Sequence, residues 1–167
     1  MHPEHLKTFD YLGVRQYFLT FCTYHRARLF TDPARVGLVS TQISRASQEE
    51  GFSVIAYCFM PDHIHLLVEG TSDVSDCLRF IARAKQYAGF YYKRVFKDRL
   101  WQRFGYEHVL RDEEAAISVA RYILENPVRA GIARTVQEYP FSGSSVYSIE
   151  QLRDAVQLRD HWYRRAA

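Results

Sequence analysis

No stretch of the 167-residue chain approaches 18 consecutive apolar residues, so no transmembrane helix is expected. The opening MHPEHLKTFD is polar and has no apolar centre of the secretory-signal type. Cysteine is scarce. Cys22, Cys58 and Cys77 are odd in number, form no CxxC pair and each sit in an apolar run. This pattern offers no disulfide framework and fits buried thiols in a reducing compartment, so a cytoplasmic protein is expected. With 5 Pro and 8 Gly there is no long linker or low-complexity tract, and no internal repeat is visible. The net charge is only +3, too small by itself to indicate nucleic acid.

The length suggests one domain spanning 1–167, with a core over about 14–131 and an extension over about 132–167. Such a chain buries about 70% of its unfolded surface and needs no covalent staples. Aromatic residues make up 15% of it, including 12 Tyr and 11 Phe. The charge is unevenly spread. Arg83, Lys85, Lys93, Arg94, Lys97, Arg99 and Arg103 face a single acid, Asp98, within one segment that also carries Tyr91 and Trp101. Such a segment suits phosphate contacts with bases stacked on Tyr91 or Trp101, and it equally describes a solvated basic face over buried aromatics.

Gln16 to Tyr24 is β-branched and aromatic and predicts a strand. Asp32-Pro33 opens a helix with Val36, Val39, Ile43 and Ala46 at helical spacing, and Gly51 closes it. Ser53 to Met60 is a nearly continuous apolar run, the pattern of a strand buried on both faces. Pro61-Asp62 turns the chain into a second strand, His63 to Glu69, which Gly70 ends. Thr71, Ser72 or Asp73 is expected to cap a long helix reaching about Arg94, with Cys77, Leu78, Ile81, Ala84, Ala88 and Tyr91 as its buried stripe. A strand over Tyr106 to Leu110 precedes a helix capped by Asp112. Pro127 should end that helix near Asn126. One more amphipathic helix is expected after Ser148. The order βαββαβ plus C-terminal helices predicts an α+β ferredoxin-like sandwich on an antiparallel sheet. The two crossover helices cover one face, and the other is left for a site.

On a strand, residues two apart point the same way, so His63 and His65 share a face while Ile64, Leu66 and Val68 face the crossover helices. Two adjacent neutral imidazoles suit one divalent cation, and so short a donor set leaves positions open for substrate oxygens. Taken alone, the pair also describes a wet sheet face. Tyr122 and Asn126, four apart, share one side of the last core helix. A phenol is a weak nucleophile unless a nearby cation polarises the phosphate it attacks. Asn126 offers a neutral carboxamide oxygen as a third ligand. His108 and Arg111 fall near the site if their strand borders that of His63.

The run Pro61-Asp62-His63-Ile64-His65-Leu66-Leu67-Val68 resembles the HUH signature. Tyr122-Ile123-Leu124-Glu125-Asn126-Pro127-Val128-Arg129-Ala130-Gly131 resembles the tyrosine-helix motif of REP-associated tyrosine transposases, single-tyrosine HUH enzymes related to insertion-sequence transposases. Trp101-Gln102, the segment from Glu107 to Arg111 and that from Tyr139 to Ser142 also look like that family's. The likeness runs from about Gln16 to Tyr147. It implies Mg²⁺ or Mn²⁺ held by His63, His65 and Asn126. It implies Tyr122 as the nucleophile that takes a 5′ phosphate and releases a 3′-hydroxyl. It further implies single-stranded or hairpin DNA of REP type as substrate, and a monomer in preference to a homodimer that exchanges tyrosines. The alternatives are an inactive hairpin-binding protein of the same fold, or one that acts on RNA.

Overall fold

The computed structural model describes residues 11–110 and 113–156. The elements are β1 (Gln16–Cys22), α1 (Pro33–Glu50), β2 (Phe52–Met60), β3 (His63–Gly70), α2 (Cys77–Phe96), β4 (Tyr106–Leu110), α3 (Glu113–Arg129) and β5 (Ser142–Gly143), and residues 149–156 are again helical. The sheet order is β4-β1-β3-β2-β5, and every pairing is antiparallel. The α+β ferredoxin-like arrangement is thus the observed one, with β1 and β3 at the centre.

The elements begin and end for local reasons. Asp32 caps α1, its carboxylate accepting from the Ala34 amide at 2.9 Å, and Gly51 ends that helix in the left-handed region at φ 72°. α2 starts later than the sequence suggests, at Cys77, because Asp76 is the cap and accepts from the Leu78 and Arg79 amides. The earlier polar residues have other work. Ser75 Oγ donates to the Gly51 carbonyl at 2.7 Å and accepts from the amides of Thr71 and Ser72, tying the end of β3 to the end of α1. The buried stripe of α2 includes Phe80 and Tyr92, with Tyr91 only half-buried. β1 stops at Cys22, two residues early, because the Thr23 amide turns to the Asp62 carbonyl and Tyr24 opens a 3-10 turn.

One sheet face carries Tyr17, Leu19, Phe21, Ile64, Leu66 and Val68 against α1 and α2. There Phe52 stacks on Phe80 with ring centroids 5.0 Å apart. A register shift between Val54 and Ala56 reverses the alternation of β2. Ala56, Cys58 and Met60 therefore join Leu67 on the second face, under Ala120, Ile123 and Leu124 of α3. Leu152 and Val156 complete that layer, so the C-terminal helical segment is part of the core. It opens with a reciprocal cap, the Gln151 amide donating to Ser148 Oγ and the Ser148 amide to Gln151 Oε1. All three cysteines are buried and unpaired, and burial pushes the Cys58 thiol up to about 12. No helix among the described residues is long and apolar enough to cross a membrane.

Pro127 does not end α3. The helix continues to Arg129 and closes on Gly131 at φ 73°, with the Ile132 amide on the Pro127 carbonyl and the Gly131 amide on that of Val128. These two bonds form a Schellman motif, which satisfies the last carbonyls and holds the extra turn despite the proline.

Candidate active site

β3 pairs with β1 so that Thr20 lies opposite His65 and Cys22 opposite His63, while Cys58 and Met60 of β2 flank the same pair on the other side. The two imidazoles therefore rise from the middle of the sheet, on the face that α3 crosses. His65 is 7% exposed. Its Nδ1 lies 2.9 Å from Thr20 Oγ1. His63 Nδ1 lies 2.7 Å from Asp62 Oδ1, and Arg26 Nε donates to the other carboxylate oxygen at 2.9 Å. Both Nδ1 atoms being engaged, the two Nε2 atoms turn toward each other and stand 3.1 Å apart.

The hydrogen-bond network assigns the protons. A carboxylate only accepts, so neutral His63 carries its proton on Nδ1 and presents a bare Nε2 lone pair. Burial first, and then the neighbouring His63, Arg129 and Arg26, pull His65 down to about 3 and disfavour its protonated form. Burial raises the Asp62 carboxyl, but the hydrogen bonds from His63 and Arg26 outweigh it and leave the group below the ordinary carboxylate range. Two imidazoles with converging Nε2 atoms and occupied Nδ1 atoms fit a divalent cation. Among the described residues no group of three or more His, Cys, Asp or Glu stands together as a metal cage.

The turn carrying Asp62 is clamped by the loop after β1. Thr23 donates to the Asp62 carbonyl from both its amide and its Oγ1, each at 3.0 Å, and the Phe30 amide donates to the Pro61 carbonyl at 3.0 Å. In that loop His25 and Arg26 adopt φ of 53° and 54°. Left-handed geometry costs a non-glycine residue about 1–2 kcal/mol. The contacts of Arg26 with Asp62 and with Cys22 Sγ, the latter at 3.1 Å, help to offset that cost.

Tyr122 reaches the histidines from α3. Its ring stands edge-on to His65 at 5.7 Å and to Phe18 at 5.9 Å between centroids, and it is 43% exposed. The phenol and both imidazoles thus come from one chain. Asn126 follows one helical turn later and is half-buried. The β4 backbone places position 108 opposite Phe18. Arg111, and the Asp112 cap, lie outside the described residues.

The basic segment divides in two. α2 packs on the sheet face opposite the histidines. Arg83 pairs with Glu50 at 3.4 Å, toward the Gly70 end of the sheet, and donates to the Tyr87 hydroxyl. Lys85 is half-buried over the Phe21 ring and donates to the Gln102 carbonyl. Lys93, Arg94 and Lys97 are exposed at the last turn of α2, and Arg99 and Arg103 in the loop beyond it. This second group is at the His63 end, since the Gln102 amide donates to the Cys22 carbonyl and Trp101 bridges Thr23. Tyr91 packs edge-on to exposed Phe90. Trp101 does not fit its expected role: it is 7% exposed, held against Phe21 and Phe30 in the core, and has no face free for a base.

Sequence reasoning missed Thr20, Arg26, Phe18 and Arg129 as residues of this site. The register of β1 on β3, which brings Thr20 and Phe18 to His65, leaves no trace in one sequence. Arg129 was hidden by the expectation that Pro127 ends the helix.

A Haemophilus influenzae protein assigned to the REP-associated tyrosine transposases is 33% identical over 102 residues, which cover 54% of this chain and 58% of that protein. The chain therefore matches little more than half the length of that relative. An Escherichia coli K12 REP-associated tyrosine transposase is 27% identical over 134 residues, 78% of this chain and 76% of the relative. The solved structure of a REP-associated tyrosine transposase bound to a REP hairpin superposes with a TM-score of 0.70 at 20% identity, covering 83% of this chain and 82% of that one, and shares the fold. The family model for IS200-like transposases matches residues 14–126, from the start of β1 through Tyr122 to Asn126, and the chain belongs to that family.

Proposed function

We propose that this protein nicks and rejoins single-stranded or hairpin DNA through Tyr122, with a divalent cation, Mg²⁺ or Mn²⁺, at His63 and His65. The observation that carries the reading is the convergence of two imidazole Nε2 atoms, 3.1 Å apart, beside the ring of Tyr122. His63, His65 and the Asn126 carboxamide would hold the cation. When bound, it supplies positive charge to the phosphate oxygens and to the leaving oxygen. Tyr122 Oη attacks phosphorus, an O–P bond forms, and the bond to the 3′ oxygen breaks. The 5′ phosphate stays on the tyrosine, the 3′-hydroxyl leaves with a proton, and attack by a 3′-hydroxyl reverses the step. Because one phosphate ester replaces another, no ATP is needed. The REP hairpin bound by the structural relative makes a hairpin of that kind the first substrate to try. The test is incubation with such a hairpin and Mn²⁺ or Mg²⁺, alongside an RNA hairpin of the same sequence. The expected product is a covalent protein–DNA species and a free 3′ end. Tight binding without cleavage in either metal would indicate a binding protein instead.

Asp62 and Arg26 orient His63, so Asp62→Asn should weaken Mn²⁺ binding by about 10–100-fold, the usual cost of losing a ligand's orienting partner. Calorimetric titration with Mn²⁺ alone checks this. Unchanged affinity would show that Asp62 only shapes the turn.

If Lys93, Arg94, Lys97, Arg99 and Arg103 are the phosphate contacts, log K for a single strand should fall with log salt at a slope near −3.5, about −0.7 for each contact. Replacing Arg99 and Arg103 with Ala should flatten the slope by about 1.4, and Arg83→Ala should leave it unchanged. Fluorescence anisotropy at several salt concentrations measures both.

A further inference from the structure

We infer that Arg129 is a further active-site residue, which fixes the Tyr122 ring and binds the phosphate that Tyr122 attacks; the inference rests on the nicking function proposed above. It begins with the helix end. Arg129 is seven residues after Tyr122, two turns along and on the same side of α3, about 10 Å away along the axis. Helical side chains lean toward the N-terminus, so an arginine there folds back over the residue two turns earlier. It does so only if the helix continues past Pro127, and the motif at Gly131 holds that last turn.

The guanidinium carbon lies 4.2 Å from the centre of the Tyr122 ring. Nη2 donates to the Tyr122 carbonyl at 2.6 Å, and Nη1 stands 3.6 Å from Glu125 Oε2. Glu125 is itself held by Arg121, at 3.0 Å. The side chain is therefore fixed in one orientation and yet 44% exposed. One of its five N–H groups donates to the Tyr122 carbonyl, the Glu125 carboxylate stands beyond hydrogen-bond distance, and the remaining N–H groups can turn to an anion. A cation over the phenol ring, whose edge meets His65, is where a phosphate reaching Tyr122 Oη would present a non-bridging oxygen. A guanidinium suits that oxygen because it offers parallel N–H donors. The ring packing restricts the phenol's rotation and so limits the directions in which its oxygen can approach phosphorus.

Single-turnover adduct formation and hairpin affinity, measured separately on Arg129→Ala, Arg129→Lys and the control Arg45→Ala, test the proposal. Arg129→Ala should slow the adduct step about 10²-fold or more, the usual cost of one donor to developing charge. Hairpin binding should weaken less than about tenfold, since one phosphate contact among several is lost. Arg129→Lys should recover only part of the rate, and Arg45→Ala, which breaks a surface pair with Glu49 on α1 across the sheet from the histidines, should match the parent. Added guanidinium ion should speed Arg129→Ala and leave the parent unaffected, a response that a purely structural role would not give. If Arg129→Ala forms adduct within threefold of the parent, or slows without any guanidinium response, Arg129 has no such role. A parent that forms no adduct in any metal would instead overturn the nicking reading, and the role of Arg129 with it.

Discussion

Tyr122→Phe should abolish the covalent protein–DNA adduct while leaving the protein folded and able to bind a hairpin. The substitution removes one hydroxyl. It keeps the ring that packs edge-on against His65 and Phe18 and under Arg129. With the ring 43% exposed, stability should move by no more than about 0.5 kcal/mol. The rate of adduct formation should fall by on the order of 10³-fold or more, because removing the nucleophile of a covalent mechanism removes the step itself. Denaturing gel electrophoresis of a labelled hairpin reads the adduct, and anisotropy reads binding. Adduct that persists at parental rate in Tyr122→Phe would assign attack to another hydroxyl.

The second large effect is expected at His65. Replacing it with Gln keeps most of the side-chain volume under Tyr122 and Phe18 while removing the Nε2 that faces His63. Mn²⁺ affinity should drop by more than the ~10–100-fold expected for an orienting partner such as Asp62, since a donor itself is lost. His63→Gln should behave alike, and neither loss should add fully to the other, because both remove the same ion. Calorimetry with Mn²⁺ alone gives the affinities, and thermal unfolding separates them from damage to the fold. Chelation of the parent should stop adduct formation as completely as either substitution, and Mn²⁺ or Mg²⁺ should restore it. Parental Mn²⁺ affinity in His65→Gln would place the ion elsewhere.

What the sequence disclosed follows from the range of the forces involved. Alternation along β3, caps such as Asp32 and terminators such as Gly51 are local, and they placed α1, β2, β3 and β4 within a residue or two. The histidine pair was legible because its spacing of two is the strand period. The tyrosine was legible because spacing of four is helical. Features set by contacts between distant segments were not. β5 is a two-residue strand with no periodicity of its own, held by its pairing with Tyr57 and Cys58. The start of α2 moved because Ser75 bonds to Gly51, a contact across the sheet end. Trp101 sits in a basic, aromatic stretch that fitted base stacking and burial equally well, and the bridge to Thr23 draws it into the core. The proline that suggested a helix end was overridden by the two bonds that close on Gly131. That one override carried Arg129 into the site.

The most direct measurement of the central claim is to digest the adduct formed by the unmodified protein and locate the attached nucleotide by mass spectrometry. The account predicts a single modified peptide, with the 5′ phosphate ester on Tyr122 and a free 3′-hydroxyl on the released strand. Attachment to any other residue, or release of both ends with no attached nucleotide in the presence of Mn²⁺, would contradict it.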